Sequence, residues 1–157
     1  MAFQRTRMAR CLLIDDEEDY RQLFASALKE SGLDVELFEV PDGFAGLDFL
    51  RGNEPYVDRA KFPMPDLVFL DLAMKGLDGL AVLKDIRKKL GAQNLPVIVL
   101  SNSDVKDDVT AAYSSFASAF HRKPSRYRDL VSLLQTVIPL WLEKRSASEG
   151  RRGASRT

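Results

Sequence analysis

Four short runs in this sequence each end on side chains that could take part in chemistry. Two runs end on acids, one ends on a hydroxyl group and one ends on an ammonium group: Asp15 with Asp16, Asp71, Ser101 and Lys123. Apolar runs of four or five residues that alternate with helical patterns are typical of buried parallel strands. Because the chemistry of an open α/β sheet lies beyond the carboxyl ends of its strands, we expect these side chains to meet at one edge.

The residue types at this predicted edge favour phosphoryl transfer onto a carboxylate. Three carboxylates in one crevice repel one another unless a cation neutralises them. Their oxygens suit Mg²⁺, which retains several of its waters in such sites. Ser101 and Lys123 add donors for an anion on the other side of the site. A cation, a lysine and a hydroxyl group around a nucleophilic carboxylate would stabilise the charge on a transferred phosphoryl group.

Composition excludes several other classes of function. The 157 residues include 23 Lys+Arg and 23 Asp+Glu, so the net charge is zero and no nucleic-acid partner is expected. No run approaches the roughly 20 apolar residues that a bilayer requires, and nothing resembles a signal peptide, so no membrane is expected either. The one cysteine, Cys11, is predicted to be a buried, inert thiol. These features predict a protein of the reducing cytoplasm.

The elements that must position the reactive groups alternate along the chain as five strand–helix units. Strands are predicted at about 10–15, 34–39, 67–71, 96–101 and 118–122, and helices at about 17–31, 43–51, 79–90, 104–116 and 126–144. Strict alternation predicts a parallel sheet with right-handed crossovers. Acids occupy three of the six positions of the second strand, which suits a sheet edge. The predicted fold is therefore α/β and flavodoxin-like, with five strands in the order 2-1-3-4-5 and five helices.

Two segments stand outside this pattern. Residues 52–65 form a polar connection that is longer than usual for a helix–strand loop, so it is either an insertion with its own purpose or an ordered flap. Residues 146–157 contain mainly Ser, Gly and Arg without an apolar anchor, which predicts a disordered tail. The predicted domain covers residues 1–145.

Over about residues 9–140 the chain resembles bacterial response regulator receiver domains. The matching pieces are specific in their order and spacing: Leu13-Ile14-Asp15-Asp16-Glu17, Leu70 to Gly79, Leu100-Ser101, and Phe120 three residues before Lys123-Pro124. One departure is Lys75, which stands where these domains usually have a proline after Met74. A second is Ala73, which replaces a commoner polar residue. Neither change removes a residue that the chemistry needs.

The resemblance implies a role for each residue of the site. These roles are the phosphoacceptor Asp71; the Mg²⁺ ligands Asp15, Asp16, Asp71 and the backbone carbonyl of Ala73; the phosphoryl contacts Ser101 and Lys123; and the aromatic switch Phe120. A lone strand-end aspartate would more often be a turn cap, but its matching partners favour the functional role. For Phe120, packing in the sheet is an equal alternative to switching.

Further features resemble the single-domain regulators that partner bacterial phytochromes. They are the insertion with Gly52, Pro55 and Tyr56, the helix start Ser101-Asn102-Ser103-Asp104, and the end Leu140-Trp141-Leu142. This resemblance implies a sensor histidine kinase of the bacteriophytochrome type as the partner. It adds no enzymatic activity beyond the protein's own phosphorylation and dephosphorylation.

The sequence also bears on how a signal would leave the protein. Only a dozen residues follow the fifth helix, too few for a DNA-binding module, so protein contact or a phosphorelay is the expected output. A receiver-like docking protein that works without phosphorylation is the alternative. A phosphohydrolase with two neighbouring acids is disfavoured because Leu72 and Ala73 follow Asp71. A flavin carrier is rejected because the acids after the first strand would repel its phosphate.

The fifth helix carries more apolar surface than one core-facing stripe requires. Its apolar residues are Leu130, Val131, Leu133, Leu134, Val137, Ile138, Trp141 and Leu142. A helix that is apolar over so wide an arc usually has a second partner. We therefore expect a homodimer through helix four, strand five and helix five, with Ile138, Trp141 and Leu142 in the interface.

Overall fold

The computed structural model describes residues 8–102 and 106–154, with backbone only from residue 148 onward. The elements alternate as β1 Ala9–Ile14, α1 Glu18–Glu30, β2 Val35–Val40, α2 Gly43–Arg51, β3 Leu67–Leu70, α3 Gly79–Arg87, β4 Val97–Ser101, α4 Lys106–Ser114, β5 Ala119–Arg122 and α5 Tyr127–Ala154. All paired strands are parallel, and their order is β2-β1-β3-β4-β5. The predicted fold and strand order are confirmed.

Two layers of helices cover the two faces of this sheet. Successive residues of a strand point to opposite faces, so β1 divides its side chains between two apolar clusters. Cys11 and Leu13 pack with α1 and α5, whereas Leu12 and Ile14 pack with α2 and α3. Because both faces are buried, the central strands are almost continuously apolar, and their polar groups appear only where the strands end. No helix in the described ranges is both long enough and apolar enough to cross a bilayer.

The long connection between α2 and β3 is an ordered flap, one of the two predicted forms. The rings of Tyr56 and Phe62 pack on Phe49 of α2, with centroids 5.0 and 5.9 Å away. The guanidinium of Arg59 donates to the carbonyls of Phe49 and Leu50, each at 2.7 Å. These carbonyls belong to the last turn of α2, where the regular helical hydrogen bonds end. The insertion therefore closes the end of α2 that lies farthest from the strand-end acids.

The fourth helix is shorter than predicted. It ends at Ser114, and Asp104 and Val105 at its predicted start lie outside the described ranges. Phe116, the last residue of the predicted helix, has a φ of 67° and is 69% exposed. The helix stops there because the backbone N–H of Ala117 turns back to the carbonyl of Ala112 at 3.0 Å. Such a left-handed turn ends a helix by satisfying its last carbonyls.

The prediction of a disordered tail from residue 146 is wrong for residues 146–154. There α5 continues as a helix to Ala154. Nucleating a helix is costly, but extending one that is already anchored requires only one residue at a time. Leu142, which is 7% exposed, anchors the helix in the core just before this segment. The low apolar content of the tail therefore does not prevent it from being helical.

The placement of two predicted interface residues is also wrong. Ile138 is fully buried and Leu142 is 7% exposed, both in the core cluster beneath the sheet. Trp141 is partly buried against the same cluster, with the Lys144 ammonium 4.6 Å from its ring centroid. The wide apolar arc arises because α5 packs against the sheet and α1 at the same time, so a single chain uses most of it.

A buried arginine that the sequence analysis did not single out joins three segments beneath the sheet. Arg87, at the end of α3, is 7% exposed. Its guanidinium donates to the carbonyls of Ala92 and Leu95, each at 2.7 Å, and to that of Phe116 at 2.9 Å. Backbone carbonyls at loop ends need such partners when they are buried. Arg87 therefore fixes the loops that lead into β4 and β5.

Replacing this guanidinium with an apolar side chain should destabilise the fold strongly. Arg87→Met leaves three carbonyls without this donor, one in a buried hydrogen bond and two in partly buried ones. We expect it to lower the free energy of unfolding by about 3 kcal/mol. Urea denaturation measures this loss. Arg51→Met is the matched control, because Arg51 makes only a partly exposed ion pair with Asp85 at 3.8 Å. That change should cost less than about 1 kcal/mol. Equal losses in the two variants would contradict the role of Arg87.

Candidate functional site

The topology brings the predicted reactive residues to one edge of the sheet. Asp15 follows β1, Asp71 follows β3, Ser101 ends β4 and Lys123 follows β5. These four strands are neighbours and run parallel, so their carboxyl ends lie side by side. Carboxylate oxygens of Asp15, Asp16 and Asp71 all lie within 4.8 Å of one another. The structure therefore gathers the three acids into a single cluster beside Lys123.

Asp15 is held in one orientation by several contacts. Its side chain is 1% exposed, and Oδ1 accepts the backbone N–H of Glu17 at 2.9 Å. Oδ2 lies 2.8 Å from Nζ of Lys123. The guanidinium of Arg21 donates to the backbone carbonyl of Asp15 at 2.8 Å. Both side-chain oxygens and the carbonyl are thus engaged, so this acid is a fixed part of the site.

Asp16 is more open than its neighbour. It is half-buried, and Oδ2 accepts the backbone N–H of Lys75 at 3.1 Å. This contact fastens the loop after β3 to the loop after β1. Asp16 and Ala73 also line the same open polar groove beside the acid cluster. A ligand that enters through this groove would meet Asp16 before the buried acids.

Asp71 is buried in the middle of the cluster. Its side chain is 3% exposed; Oδ1 accepts the backbone N–H of Ala73 at 3.2 Å, and Oδ2 lies 3.3 Å from Nζ of Lys123. Burial raises the pKa of Asp71 to about 6; Lys123 opposes this shift, while Asp15 adds to it. A Cβ atom on Gly79 would collide with the backbone of Asp71 and Leu72, so α3 starts directly against the chain segment that carries this carboxylate.

Lys123 balances the buried acids. Its side chain is only 3% exposed, and its ammonium contacts both Asp15 and Asp71. Burial alone would lower the pKa of this ammonium, but the two carboxylates outweigh burial and hold the pKa above its usual value. The lysine is therefore charged. Its third neighbour is the ring of Tyr20, whose centroid lies 4.1 Å from Nζ.

Ser101 and Phe120 occupy neighbouring strands on the far side of the cluster. Ser101 is 1% exposed, and its carbonyl accepts the backbone N–H of Lys123 at 2.8 Å. Phe120 is half-buried against the small cluster that contains Val99. Its backbone N–H donates to the hydroxyl of Tyr113 in α4 at 3.3 Å. Packing is thus observed for Phe120, and a switching role stays a prediction.

The donor set fits a hard divalent cation. Three carboxylates with oxygens within 4.8 Å match the oxygen ligands that Mg²⁺ and similar ions prefer. The raised pKa of Asp71 reflects burial and repulsion that a cation would relieve. The ammonium of Lys123 lies on the same carboxylate and offers donors to an anion. The cluster can therefore hold a cation and an oxyanion side by side.

Some residues of the site were not recognised from the sequence. Neither Tyr20 nor Arg21 was singled out from the sequence. Their position could have identified them, because they lie about one turn after a pair of strand-end acids. A helix that starts beside the site must direct its first inward side chain toward the site. Helical periodicity describes such a residue as core, which is correct for Tyr20 but incomplete.

Comparisons with known proteins agree with this geometry. A family model described as the response regulator receiver domain matches residues 11–135. Response regulator Rcp1 from Synechocystis sp. is 33% identical over 132 residues, which cover 84% of this chain and 88% of that protein.

Two solved structures are similar over nearly their whole length. The phosphorylated cyanobacterial phytochrome response regulator RcpA superposes with a TM-score of 0.79 at 27% identity, covering 88% of this chain and 96% of that one. The Mn²⁺-bound form of Rcp1 gives a TM-score of 0.74 at 32% identity, covering 86% and 95%. With its fold, its acid cluster and its family match in agreement, the chain belongs to the response regulator receiver domains of two-component systems.

Proposed function

We propose that this protein accepts a phosphoryl group on Asp71 from a sensor histidine kinase, in the presence of Mg²⁺. The observation that carries the proposal is the position of the Lys123 ammonium, 2.8 Å from Asp15 and 3.3 Å from Asp71. A structural ion pair needs only one acid. A lysine between two acids, beside a third, suits a site that must hold a cation and an oxyanion side by side.

The transfer step follows from these positions. A carboxylate oxygen of Asp71 attacks phosphorus; the new O–P bond forms as the P–N bond of the phosphohistidine breaks. The electron pair of the broken bond stays on the imidazole nitrogen, which takes up a proton. The product on this protein is an acyl phosphate. Lys123 and Ser101 are the donors that we expect to bind the new phosphoryl oxygens.

Asp15, Asp16, Asp71 and the carbonyl of Ala73 are the groups that would hold Mg²⁺. A bound divalent cation supplies positive charge that offsets the acids and the phosphoryl oxygens. Asp16 is the most open of the three acids, while both oxygens of Asp15 already have partners. This supports direct contact through Asp16 and a more indirect role for Asp15.

We infer that the partner kinase is of the phytochrome type. The relative that supports this is RcpA, which is described as a phytochrome response regulator. Output follows when Lys123 and Ser101 turn toward the phosphoryl group and shift β4 and β5, with Phe120 as the aromatic residue that moves. The phosphoryl group then selects one of two packings of the α4–β5–α5 face, on which partners would bind.

Phosphorylation should depend on one residue. Incubated with acetyl phosphate and Mg²⁺, the wild-type protein should gain one phosphoryl group by intact mass, and Asp71→Asn should gain none, because the amide is not a nucleophile. Asp78→Asn is the control, since Asp78 only caps α3 through the N–H of Ala81 at 2.9 Å. Phosphorylation of Asp71→Asn at the wild-type level would place the acceptor elsewhere. No uptake by the wild-type protein would favour a docking protein that works without phosphate.

Stability without metal should fall as Asp71 ionises. Burial raises the pKa of Asp71 from 3.8 to about 6, so the folded protein holds this proton more tightly than the unfolded chain. The contribution is complete below pH 4 and is lost as the pH rises through about 6. Between pH 4 and 7 in EDTA, urea unfolding should show wild type losing roughly 3 kcal/mol relative to Asp71→Asn. Saturating Mg²⁺ should reduce this difference. A difference in unfolding free energy between the two proteins that stays constant from pH 4 to 7 would refute this prediction.

The homodimer stays a prediction, now with different residues. Exposed apolar side chains remain on α4, just after it and on α5: Tyr113, Phe116 and Leu140 are 50%, 69% and 44% exposed. We expect a dimer by light scattering at micromolar concentrations and a monomer for Phe116→Asn with Leu140→Glu, because an interface does not tolerate a buried unpaired charge. The control is Val57→Glu in the insertion, at a side chain that is 55% exposed. A wild-type monomer at every concentration would disprove the dimer.

A further inference from the structure

The Lys123 ammonium has a neighbour that is neither an acid nor a backbone group. The ring of Tyr20, the first inward residue of α1, lies with its centroid 4.1 Å from Nζ. Tyr20 is 9% exposed, and the lysine side chain is 3% exposed, so little water reaches this contact. A cation over an aromatic face is attracted to it, and the attraction grows when water is excluded.

The ring offers the lysine something that the carboxylates do not. An ammonium group has three donors, and its contacts with carboxylates are directional. The attraction of a ring face depends weakly on how the ammonium is turned. When phosphoryl oxygens arrive at Asp71, the ammonium must redirect its donors toward them. A ring beside Nζ keeps stabilising the charge during that change, while the contacts with the acids are exchanged.

We propose that Tyr20 is a positioning residue, whose ring face holds the Lys123 ammonium between Asp15 and Asp71. This rests on the proposed transfer of a phosphoryl group to Asp71. Tyr20 touches neither the phosphorus nor its donor in this role, and it acts only through Lys123. Its effect on phosphorylation must therefore disappear when Lys123 is absent.

The hydroxyl group of Tyr20 has no part in this role. It is buried and has no hydrogen-bond partner among the residues that the structure describes. Removing an unsatisfied buried hydroxyl while keeping the ring is expected to be neutral or slightly stabilising. Tyr20→Phe is therefore the conservative variant that should preserve function, and Tyr20→Leu is the variant that removes the ring face.

The simpler explanation is that the ring only fills the core. Phe24 lies one turn later on the same face of α1, is fully buried, and packs its ring on Phe69 with centroids 5.0 Å apart. Phe24→Leu removes a similar aromatic volume from the same cluster. It serves as the matched control, because it loosens the core without taking a ring from the lysine.

The test compares initial rates of phosphorylation by acetyl phosphate with Mg²⁺. Tyr20→Leu should slow the reaction about tenfold, a loss in the range expected for a desolvated cation–ring contact. Tyr20→Phe and Phe24→Leu should stay within about twofold of wild type, because each keeps a ring at position 20. In a Lys123→Ala background, Tyr20→Leu should have no further effect, since a double-mutant cycle isolates the pairwise term.

A second series avoids any change of shape. Phenylalanine with increasing fluorination at position 20 keeps the ring but weakens the negative charge of its face, so the rate should fall with each step. NMR supplies a readout without phosphate: the ε-CH₂ protons of Lys123 should be shifted upfield by the ring in wild type and Tyr20→Phe, and not in Tyr20→Leu.

Each outcome decides a different point. Equal loss in Tyr20→Phe and Tyr20→Leu would assign the effect to the hydroxyl and overturn the proposal. The proposal would also be overturned if Tyr20→Leu lowered the rate equally in the Lys123→Ala background, or if the rate did not change with fluorination. If wild type takes up no phosphoryl group, the proposed function fails. The upfield shift of the Lys123 protons then still tests the contact between the ring and the ammonium. Absence of the shift in wild type would reject the contact, and its presence would support the contact.

Discussion

The contact of one ammonium group with two buried carboxylates is the interaction on which the site depends. Asp15 and Asp71 are 1% and 3% exposed at the side chain, and without Lys123 their charges would face each other with little water between them. Removing one partner from such a cluster leaves an uncompensated buried charge, which destabilises a protein strongly. The cluster is therefore stable only as a unit. Any ligand that changes the charge near Asp71 must also change the position of Lys123.

The sheet explains why these residues can form a unit at all. Asp15 and Asp71 follow β1 and β3, which are adjacent, whereas Lys123 follows the edge strand β5. Three strand ends fix the distances between the charged groups, and the backbone N–H groups of Glu17 and Ala73 fix the orientation of the acids. The element free to respond is the one at the edge. We therefore expect a change at Lys123 to reach β5 and the helices beside it more easily than the central strands.

The sequence predicts the sheet and the members of the acid cluster because both depend on local patterns. Apolar runs that end on acids identify buried strands and their carboxyl ends at once. It does not predict what depends on contacts between distant segments. In the sequence, Arg87 is an ordinary arginine at a helix end. Its role depends on the loops before β4 and β5, whose carbonyls accept hydrogen bonds from its guanidinium. Residues 146–154 read as disordered because helix extension depends on the anchored turn before them, not on their own composition.

The same distinction explains the two kinds of apolar surface on α5. A wide apolar arc indicates two contacts, but the sequence does not say whether the second lies within the chain or on a partner. Here α1 takes one side of the arc, which buries Ile138 and Leu142. Leu133 and Leu140, seven residues apart and hence on one face, lie on the other side. Leu140 is 44% exposed. The part of α5 open to a partner is therefore the side away from α1, on the flank of the sheet formed by β5, the strand that leads directly to Lys123.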